Sequence, residues 1–454
     1  MGRRGGGLRK TAGVGGVVRE VSFPGGEGGR EADQLGTRGF PDTSASLATS
    51  IVRCSLKDGP LTTKQVRMAN QKTVFVTGGT GYIGSHCIVE LLNAGFEVIT
   101  IDNLTNSRSG ALRRVQEITG KSVTFYECDL LDGQAVHKIF AKHKIDYVIH
   151  FAAMKAVGES MQFPLIYYKN NVIGTINLVE AMKAHNVYQM VFSSSCTVYG
   201  DPEHLPITED HPTGAVTNVY GRTKYLIEEM LKDLSRAEEK WNIIALRYFN
   251  PVGAHPSGRL GEDPTKSFTN LMPYIGQVAI GKKQSLTIFG CDYDTPDGTG
   301  VRDYIHVMDL ASGHVSALSK LDDEHLRFKT YNLGTGQGVS VLQLVKAFEA
   351  VTGTIVPYEL KPRREGDIVS MFANTTLAKK ELGWTAKYSL ENMCEDFWKW
   401  QTMNPDGYAK DEPFPVAVLD TPLPVKTPSV ESAQVNAPSS AVASVNGING
   451  VNNH

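Results

Sequence analysis

The sequence has little that would suit it to a membrane, to nucleic acid or to a disulfide-stabilised fold. It contains no apolar run of the roughly 18 residues that a membrane span needs. Its formal net charge of −2 offers no basic surface to nucleic acid. The six cysteines form no CxxC pair, and the twelve histidines show no HxH or HxxxH spacing beside acids. We therefore expect no membrane association, no nucleic-acid partner and no metal site, and we expect reduced thiols in a cytoplasmic protein.

The two ends of the chain differ from its middle. Residues 1–69 are rich in glycine and lack both an amphipathic presequence and the apolar core of a secretory signal. We expect them to be a disordered extension, with Met68 near the true start of the folded chain. Residues 405–454 are dominated by Pro, Ala, Val, Ser and Asn without periodicity, which predicts a low-complexity C-terminal tail.

The central feature of the sequence is a glycine-rich stretch between a predicted strand at 74–77 and a predicted helix. Gly78, Gly81 and Gly84 would let the backbone turn sharply and approach a pyrophosphate, whose charge faces the free N–H groups of the helix. Asp102 ends the next apolar run, where a carboxylate can accept a ribose 2′-hydroxyl. The combination predicts an NAD site, since Asp102 would repel a 2′-phosphate. A tight turn followed by a surface aspartate is the less favoured alternative.

Strands and helices alternate at short intervals from residue 72 onward, which predicts an α/β fold with a Rossmann-type doubly wound parallel sheet. The candidate strands are 74–77, 97–101, 124–127, 147–151, 190–193 and 243–248. The candidate helices are 83–94, 108–119, 132–142, 160–185 and 218–239. We expect a dinucleotide-binding domain at 70–255. The looser pattern at 256–404 predicts a smaller, mixed substrate-binding domain that covers a ligand at the strand ends.

Tyr220 and Lys224 are four residues apart, on one face of the predicted helix. An incidental tyrosine on an amphipathic helix would show the same spacing, but a run of hydroxyls, Ser193 to Ser195, follows a strand of the same sheet. Tyr220 could act as a base, with its pKa lowered by Lys224. Lowering a tyrosine pKa from about 10 to neutrality needs about 4 kcal/mol, whereas an exposed ion pair supplies only about 0–1 kcal/mol. Lys224 should therefore lie in a partly dry pocket.

With these motifs in view, the chain resembles the extended short-chain dehydrogenase/reductase family, and within it the sugar-nucleotide 4-epimerases. The segments that carry the resemblance are 77–85, 150–160, 193–200, 247–251, 300–306 and 363–367. The resemblance implies hydride removal from C4 of a UDP-sugar to NAD, rotation of the 4-keto sugar and hydride return to its other face. UDP-galactose and UDP-glucose would be interconverted in this way. The related 4,6-dehydratases carry an acid pair where Cys196 and Thr197 stand, so elimination of water is not expected.

The resemblance also implies roles for individual residues. Tyr220 would be the acid/base residue, Ser195 the assisting hydroxyl, and Lys224 the cation that tunes Tyr220. The implied cofactor-binding residues are Gly78, Gly81, Tyr82, Ile83, Gly84, Asp102, Asn103, Asp129, Leu130, Phe151, Lys155, Lys224 and Tyr248. The implied substrate-binding residues are Ser195, Thr197, Tyr220, Asn250, Asn270, Leu271, Phe289, Arg302, Arg364, Asp367 and Met371.

Several alternatives stay open at this point. Asp129 could instead be a favourable charge before a helix, and Met371 could fill the core rather than narrow the sugar pocket. The substrate could be another UDP-sugar, an N-acetylhexosamine or a pentose derivative, or the protein could be a non-enzymatic NAD-sensing regulator. The resemblance further implies a homodimer formed through the helices at 160–185 and 218–239.

Overall fold

A large parallel sheet forms the centre of the computed structural model, which describes residues 71–263, 270–364 and 367–419. The strands of these ranges are, in chain order, β1 (Thr73–Thr77), β2 (Glu97–Asp102), β3 (Thr124–Glu127), β4 (Tyr147–His150), β5 (Gln189–Ser195), β6 (Asn242–Tyr248), β7 (Asn250–Val252), β8 (Leu286–Phe289), β9 (Val301–Arg302), β10 (Tyr304–His306), β11 (Phe328–Leu333), β12 (Val339–Ser340), β13 (Tyr358–Lys361) and β14 (Ser370–Met371). The large sheet has the order β11-β6-β5-β4-β1-β2-β3, and all neighbouring pairs are parallel.

The described residues form twelve α-helices. They are α1 (Tyr82–Asn93), α2 (Gly110–Thr119), α3 (Gly133–Lys142), α4 (Val157–Gln162), α5 (Pro164–Tyr167), α6 (Gly174–Ala184), α7 (Val219–Ala237), α8 (Leu271–Ala279), α9 (Val307–Lys320), α10 (Val341–Thr352), α11 (Thr376–Leu382) and α12 (Leu390–Met403). One apolar core joins α1, α2 and α9 to one face, and a second core joins α3, α6 and α7 to the other. The predicted Rossmann-type doubly wound fold is therefore confirmed.

The strand order explains where a ligand can bind. The chain builds β1, β2 and β3 outward in one direction, and then returns to place β4, β5 and β6 on the other side of β1. The connections after β1 and β4 therefore diverge, which opens a crevice at the carboxyl ends of these two strands.

The predicted helix at 160–185 is wrong, because the structure divides this segment. The helix α4 ends at Gln162, and α5 begins at Pro164, followed by a π-helical turn at Tyr168–Ile173 and then α6. Proline lacks the N–H that a continuing helix needs and disfavours helical geometry at the residue before it. Phe163 accordingly has φ −126° and ψ 57°.

A smaller mixed substructure follows β6. It contains the pairs β7–β10 and β8–β13 and the three-stranded sheet β12-β9-β14. The helices α8, α10 and α12 pack around an apolar core of their own, which includes Ile275, Phe348 and Phe397. This separate core agrees with a smaller second domain, although the boundary at 255/256 stays a prediction.

Residues 405–419, which we call the C-terminal strap, pack onto the fold. Tyr408 and Phe414 are buried, Asp411 accepts two hydrogen bonds of 2.8 Å from Arg114, and the Ala417 amide donates to the Phe125 carbonyl at 2.7 Å. A predicted tail that begins at 405 is therefore wrong for this part, because its few aromatic and charged side chains find partners on the fold. The predicted extension at 1–69 and the tail from 420 onward lie outside the described residues.

The helices of the described ranges were also compared with the dimensions of a bilayer. None of them is both long enough and apolar enough to cross a membrane.

Replacement of Tyr408 by Ala should destabilise the fold. The Tyr408 ring packs at 4.9 Å from Trp400, and its hydroxyl makes 3.0 Å hydrogen bonds with both the amide and the carbonyl of Gly261. Loss of a buried aromatic side chain lowers the free energy of unfolding by about 3–5 kcal/mol. The exposed Tyr358 offers a matched control. Equal denaturation midpoints for Tyr408→Ala and Tyr358→Ala would show that the strap contributes little.

Candidate functional site

A cleft of about 520 Å³ lies at the crevice between the carboxyl ends of β1 and β4. All of the residues predicted to bind the cofactor line this cleft, namely Gly78, Gly81, Tyr82, Ile83, Gly84, Asp102, Asn103, Asp129, Leu130, Phe151, Lys155, Lys224 and Tyr248. Tyr220 and Asn270, predicted to bind the substrate, line it as well. The topology therefore gathers residues that are up to 192 positions apart, from Gly78 to Asn270, although their individual roles stay predictions.

The glycine turn after β1 has no room for side chains. Gly78 has φ +72°, and a Cβ atom there would lie 2.8 Å from the Ala152 nitrogen. A Cβ atom on Gly84 would lie 2.2 Å from the Gly78 carbonyl oxygen. The helix α1 then begins without a side-chain cap on Gly81, so its first N–H groups have no acceptor within the helix. This backbone cradle fits the pyrophosphate of a dinucleotide.

Asp102 lies at the end of β2 and is almost fully bonded. Its Oδ1 atom accepts from the Leu104 amide and the Ser107 hydroxyl, both at 3.0 Å, and its Oδ2 atom accepts from the Thr80 amide at 3.2 Å. A carboxylate can accept about four hydrogen bonds. The remaining lone pair can accept a ribose hydroxyl, which suits the predicted role.

Asn103 and Asp129 form the next contact along this edge of the sheet. The Asn103 amide donates to the Asp129 carboxylate at 2.9 Å, whose other oxygen accepts from the Leu131 amide at 2.8 Å. The cap of α3 is instead Asp132, which accepts from the Ala135 amide at 3.0 Å. Asp129 therefore orients Asn103 at the cleft, and the capping function belongs to Asp132.

The helix α7 carries the predicted proton-transfer pair into the cleft. Its N-cap is Asn218, whose side chain accepts from the Gly221 amide at 2.8 Å, and the Tyr220 amide donates to the Ser160 hydroxyl at 3.1 Å. Lys224 lies one turn later, where its ammonium donates to the Ser193 carbonyl at 2.5 Å. Only 2% of Lys224 is exposed, so the partly dry pocket expected from the energy argument is present.

Burial dominates the electrostatics of this pair. It lowers the pKa of Lys224 to about 7, against an opposing effect of the Glu228 charge. It also raises the pKa of Tyr220 to about 12, which a hydrogen bond with the Ser195 side chain partly offsets. Tyr220 is therefore protonated at neutral pH in the ligand-free protein. Its use as a base needs additional positive charge in the cleft.

The hydroxyl run after β5 forms a tight turn. The Ser195 hydroxyl accepts from the Thr197 amide at 3.2 Å and from the Thr197 hydroxyl at 3.0 Å. Burial raises the pKa of the intervening Cys196 to about 12, and the charge of Arg302 opposes that shift. The thiol therefore stays protonated, which fits a packing residue rather than a nucleophile. Arg302 therefore lies close enough to this turn for its charge to act on the Cys196 thiol.

Arg364, which is also predicted to bind the substrate, contacts Phe289 and Asp367. The guanidinium of Arg364 lies 4.9 Å from the ring centre of Phe289 and donates two hydrogen bonds to Asp367, at 2.9 and 3.1 Å. Arg364 and Arg302 both lower the pKa of Tyr293, which burial and Asp367 raise. Tyr293 therefore lies close enough to both predicted substrate-binding arginines for their charges to act on it.

The other nine predicted substrate-binding residues are not among those that line this cleft. They are Ser195, Thr197, Asn250, Leu271, Phe289, Arg302, Arg364, Asp367 and Met371. Asn250 begins β7, and Leu271 begins α8. Met371 is 3% exposed and packs with Cys196, Val198 and Phe249. Its burial supports a packing role beside the turn that follows Ser195.

Glu262 and Tyr408 are among the cleft residues that sequence reasoning missed. One Glu262 oxygen accepts from Lys155 at 2.9 Å and from Asn270 at 3.0 Å, so it connects a predicted cofactor residue to a predicted substrate residue. Glu262 lies in a loop without periodicity, and Tyr408 lies in the segment interpreted as a tail. Neither position carries a local pattern that would have revealed it.

Comparison with known proteins agrees with this geometry. The model of the GDP-mannose 4,6 dehydratase family matches residues 75–397. A UDP-glucose 4-epimerase of Bacillus subtilis strain 168 is 59% identical over 339 residues, 75% of this chain and 99% of the relative. The Drosophila melanogaster UDP-glucose 4-epimerase is 57% identical over 344 residues, 74% of this chain and 98% of the relative. The chain belongs to the UDP-glucose 4-epimerase family.

Solved structures place the fold in the same UDP-glucose 4-epimerase family. The enzyme of Bifidobacterium longum, crystallised with NAD+ and UDP, superposes with a TM-score of 0.72 at 51% identity, covering 74% of this chain and all of that one. The matching family model is named for dehydratases, but Cys196 and Thr197 lack the carboxylates that elimination of water would use. The site chemistry therefore agrees with the epimerases.

The lowered pKa of Lys224 predicts that the stability of the ligand-free protein depends on pH. The folded-state pKa is about 7 and the ordinary value is 10.5, so between these values the unfolded chain binds more protons than the folded one. Stability from this group therefore rises with pH by about 1.4 kcal/mol per pH unit within this window, and it is lost as the pH falls from 10.5 to 7. The stability advantage of Lys224→Met over the parent should be largest below pH 7 and should disappear towards pH 10.

Chemical denaturation across this pH range measures the difference. Lys232→Met provides the control, because Lys232 lies on the same helix and pairs with Glu229 at the surface. A Lys224→Met difference that stays as constant with pH as the control would contradict the buried, depressed lysine.

Proposed function

We propose that the protein interconverts UDP-galactose and UDP-glucose, with NAD as a tightly held cofactor. Relatives that are 54–59% identical and covered over at least 98% of their length are UDP-glucose 4-epimerases. The observation that carries the proposal is the Tyr220–Lys224 pair, which lines the same cleft as the glycine turn and Asp102. A non-enzymatic NAD sensor is not favoured, since it would not need this pair.

Each residue of the site has its own role in the proposed reaction. When bound, NAD would supply the hydride acceptor for C4 of the sugar and the hydride donor for the opposite face of the 4-keto sugar. Tyr220 takes the proton of the C4 hydroxyl and gives it back, assisted by the Ser195 hydroxyl. Lys224 gives the pocket a positive charge that stabilises the tyrosinate. Arg302 and Arg364 bind the diphosphate with their guanidinium groups.

The setting of the reaction follows from the same features. The five cysteines of the described residues are free thiols, four of them buried, which suits the reducing cytoplasm. There the protein would serve galactose metabolism. The buried Met371 packs beside the turn that follows Ser195 and would narrow the sugar pocket there. UDP-glucose and UDP-galactose should therefore be preferred to N-acetylated sugars.

The proposal predicts the behaviour of Tyr220→Phe. The variant keeps the aromatic ring and should retain NAD and UDP-sugar binding, but it lacks the hydroxyl that moves the proton. Turnover of UDP-galactose should fall about 10²–10⁴-fold. Tyr225→Phe, on the same helix but outside the cleft lining, should keep parental turnover. A near-parental kcat for Tyr220→Phe would show that Tyr220 is not the acid/base residue.

An exposed apolar patch supports a homodimer. The patch consists of Val157, Met161, Phe163, Leu165, Ile166, Ile173, Ile176 and Leu226, each at least 37% exposed. They lie on α4 to α6 and on α7, which pack against one another. A patch of this kind on a water-soluble fold marks an interaction site. Two copies related by a twofold axis would bury the same patch on both subunits.

Leu165→Glu should dissociate this dimer. Leu165 is 73% exposed in the single chain, so the substitution costs little within the monomer but places two charges in the apolar interface. Ile355→Glu is the control, since Ile355 is 82% exposed and lies outside the patch. Sedimentation analysis should give a dimer for the parent and the control, and a monomer for Leu165→Glu. A monomeric parent, or a dimeric Leu165→Glu, would contradict the proposed interface.

A further inference from the structure

Three consecutive serines of β5 meet three residues spaced one turn apart on α7. The Ser195 side chain bonds with that of Tyr220, and the Ser193 carbonyl accepts from Lys224 at 2.5 Å. Both contacts belong to the proposed proton-transfer site. In the third contact the Ser194 hydroxyl donates to the Glu228 carboxylate at 2.5 Å, and no step of the proposed reaction uses Glu228.

Glu228 is fully buried and tied to a second strand of the sheet. Arg247 of β6 donates to both carboxylate oxygens, from Nε at 3.0 Å and from Nη2 at 2.7 Å. Removal of two charges from water is costly, and only good geometry with additional hydrogen bonds offsets that cost. Here Ser194 supplies the additional bond. Glu228 therefore joins α7 to both β5 and β6, one turn from the cleft residue Lys224.

Arg247 extends this set of contacts to Tyr199, at the end of the turn that follows Ser195. Its Nη1 atom donates to the Tyr199 hydroxyl at 2.9 Å and to the Glu209 carbonyl at 3.0 Å. Its guanidinium also lies 4.7 Å from the centre of the Tyr199 ring. Tyr199 is the last residue of the turn that begins after Ser195. The carboxylate of Glu228 thus contacts the strand just before the turn through Ser194, and it reaches the end of the turn through Arg247.

The charge of Glu228 also acts on the catalytic lysine. Glu228 raises the pKa of Lys224, against the larger opposing effect of burial. Other groups that face Lys224 contribute less negative charge: burial lowers the pKa of His150 to about 3, which leaves it neutral, and burial keeps Tyr220 protonated. Arg247 and Tyr199 also face Glu228. Glu209 acts on the same arginine, and Tyr248 interacts with Ser193 and Tyr220.

We propose that Glu228 is a positioning residue for the Tyr220–Lys224 pair, because its carboxylate holds the β5 serines opposite α7 and places a negative charge one turn from Lys224. This inference rests on the proposed function. Glu228 does not touch the substrate or the cofactor, and it acts through Ser194, Arg247 and Lys224. A merely structural ion pair would change stability but not the pH dependence of turnover.

The test compares the pH profiles of kcat for NAD-loaded variants that convert UDP-galactose. Glu228→Gln keeps the shape and an acceptor for Ser194 but removes the charge. Less ammonium on Lys224 leaves the Tyr220 phenolate less stabilised, so the acidic limb of the profile should move up by about one pH unit. At neutral pH kcat should fall about tenfold, with KM little changed.

Two further variants separate charge from geometry. Ser194→Ala keeps the carboxylate and loses its tie to β5, so kcat should fall while the acidic limb stays in place. If Glu228→Gln does not fold because Arg247 is left unpaired, the neutral pair Glu228→Gln/Arg247→Gln replaces it. Glu228→Asp keeps the charge and should restore the parental position of the limb.

The outcomes distinguish the two proposals. A parent that does not convert UDP-galactose would refute the proposed function itself. A parent that converts it, with kcat and acidic limb unchanged in the charge-neutral variant and in Ser194→Ala, would refute the positioning role of Glu228 alone. An upward shift of the limb in the charge-neutral variant only, together with a reduced kcat in both, would support it.

Discussion

The burial of Lys224, together with the partial removal of water from the neighbouring Tyr220, is the constraint on which the site depends. Burial lowers the pKa of Lys224 and raises the pKa of Tyr220, so it favours a neutral lysine and a protonated tyrosine. Both effects oppose the use of Tyr220 as a base. The protein can reverse this only by supplying charge and hydrogen bonds from the surrounding elements. The carbonyl of Ser193, the hydroxyl of Ser195 and the carboxylate of Glu228 provide part of that environment. The proposed cofactor would provide the rest.

The doubly wound sheet brings these groups together. Parallel strands end at one edge, so β1 contributes the glycine turn, β2 contributes Asp102, and β5 contributes the serines at the same side of the molecule. The helix α7 lies along β5 and presents Tyr220, Lys224 and Glu228 at one-turn intervals. A change in the packing of α7 would therefore disturb all three contacts with β5 at once.

Much of this arrangement could be predicted from local patterns. The short apolar runs predicted six strands within two residues of their observed ends, and the glycine spacing predicted the turn at Gly78. The division at Pro164 also had a local signal, but the apolar periodicity on both sides of it suggested one long helix. Glu228 and Arg247 had no such signal, because their pairing depends on the packing of α7 across β5 and β6. Tyr408 becomes a cleft residue only when the strap folds back onto Gly261.

The central claim is that one active site removes a hydride from C4 and returns it to the same sugar. A mixture of UDP-galactose deuterated at C4 and UDP-galactose labelled with carbon-13 in the sugar tests this claim by mass spectrometry of the products. The account predicts that deuterium stays at C4 of the sugar that carried it, with no crossover to the carbon-13 population and no loss to solvent. Deuterium in carbon-13 UDP-glucose, or its stoichiometric appearance in released NADH, would contradict the account.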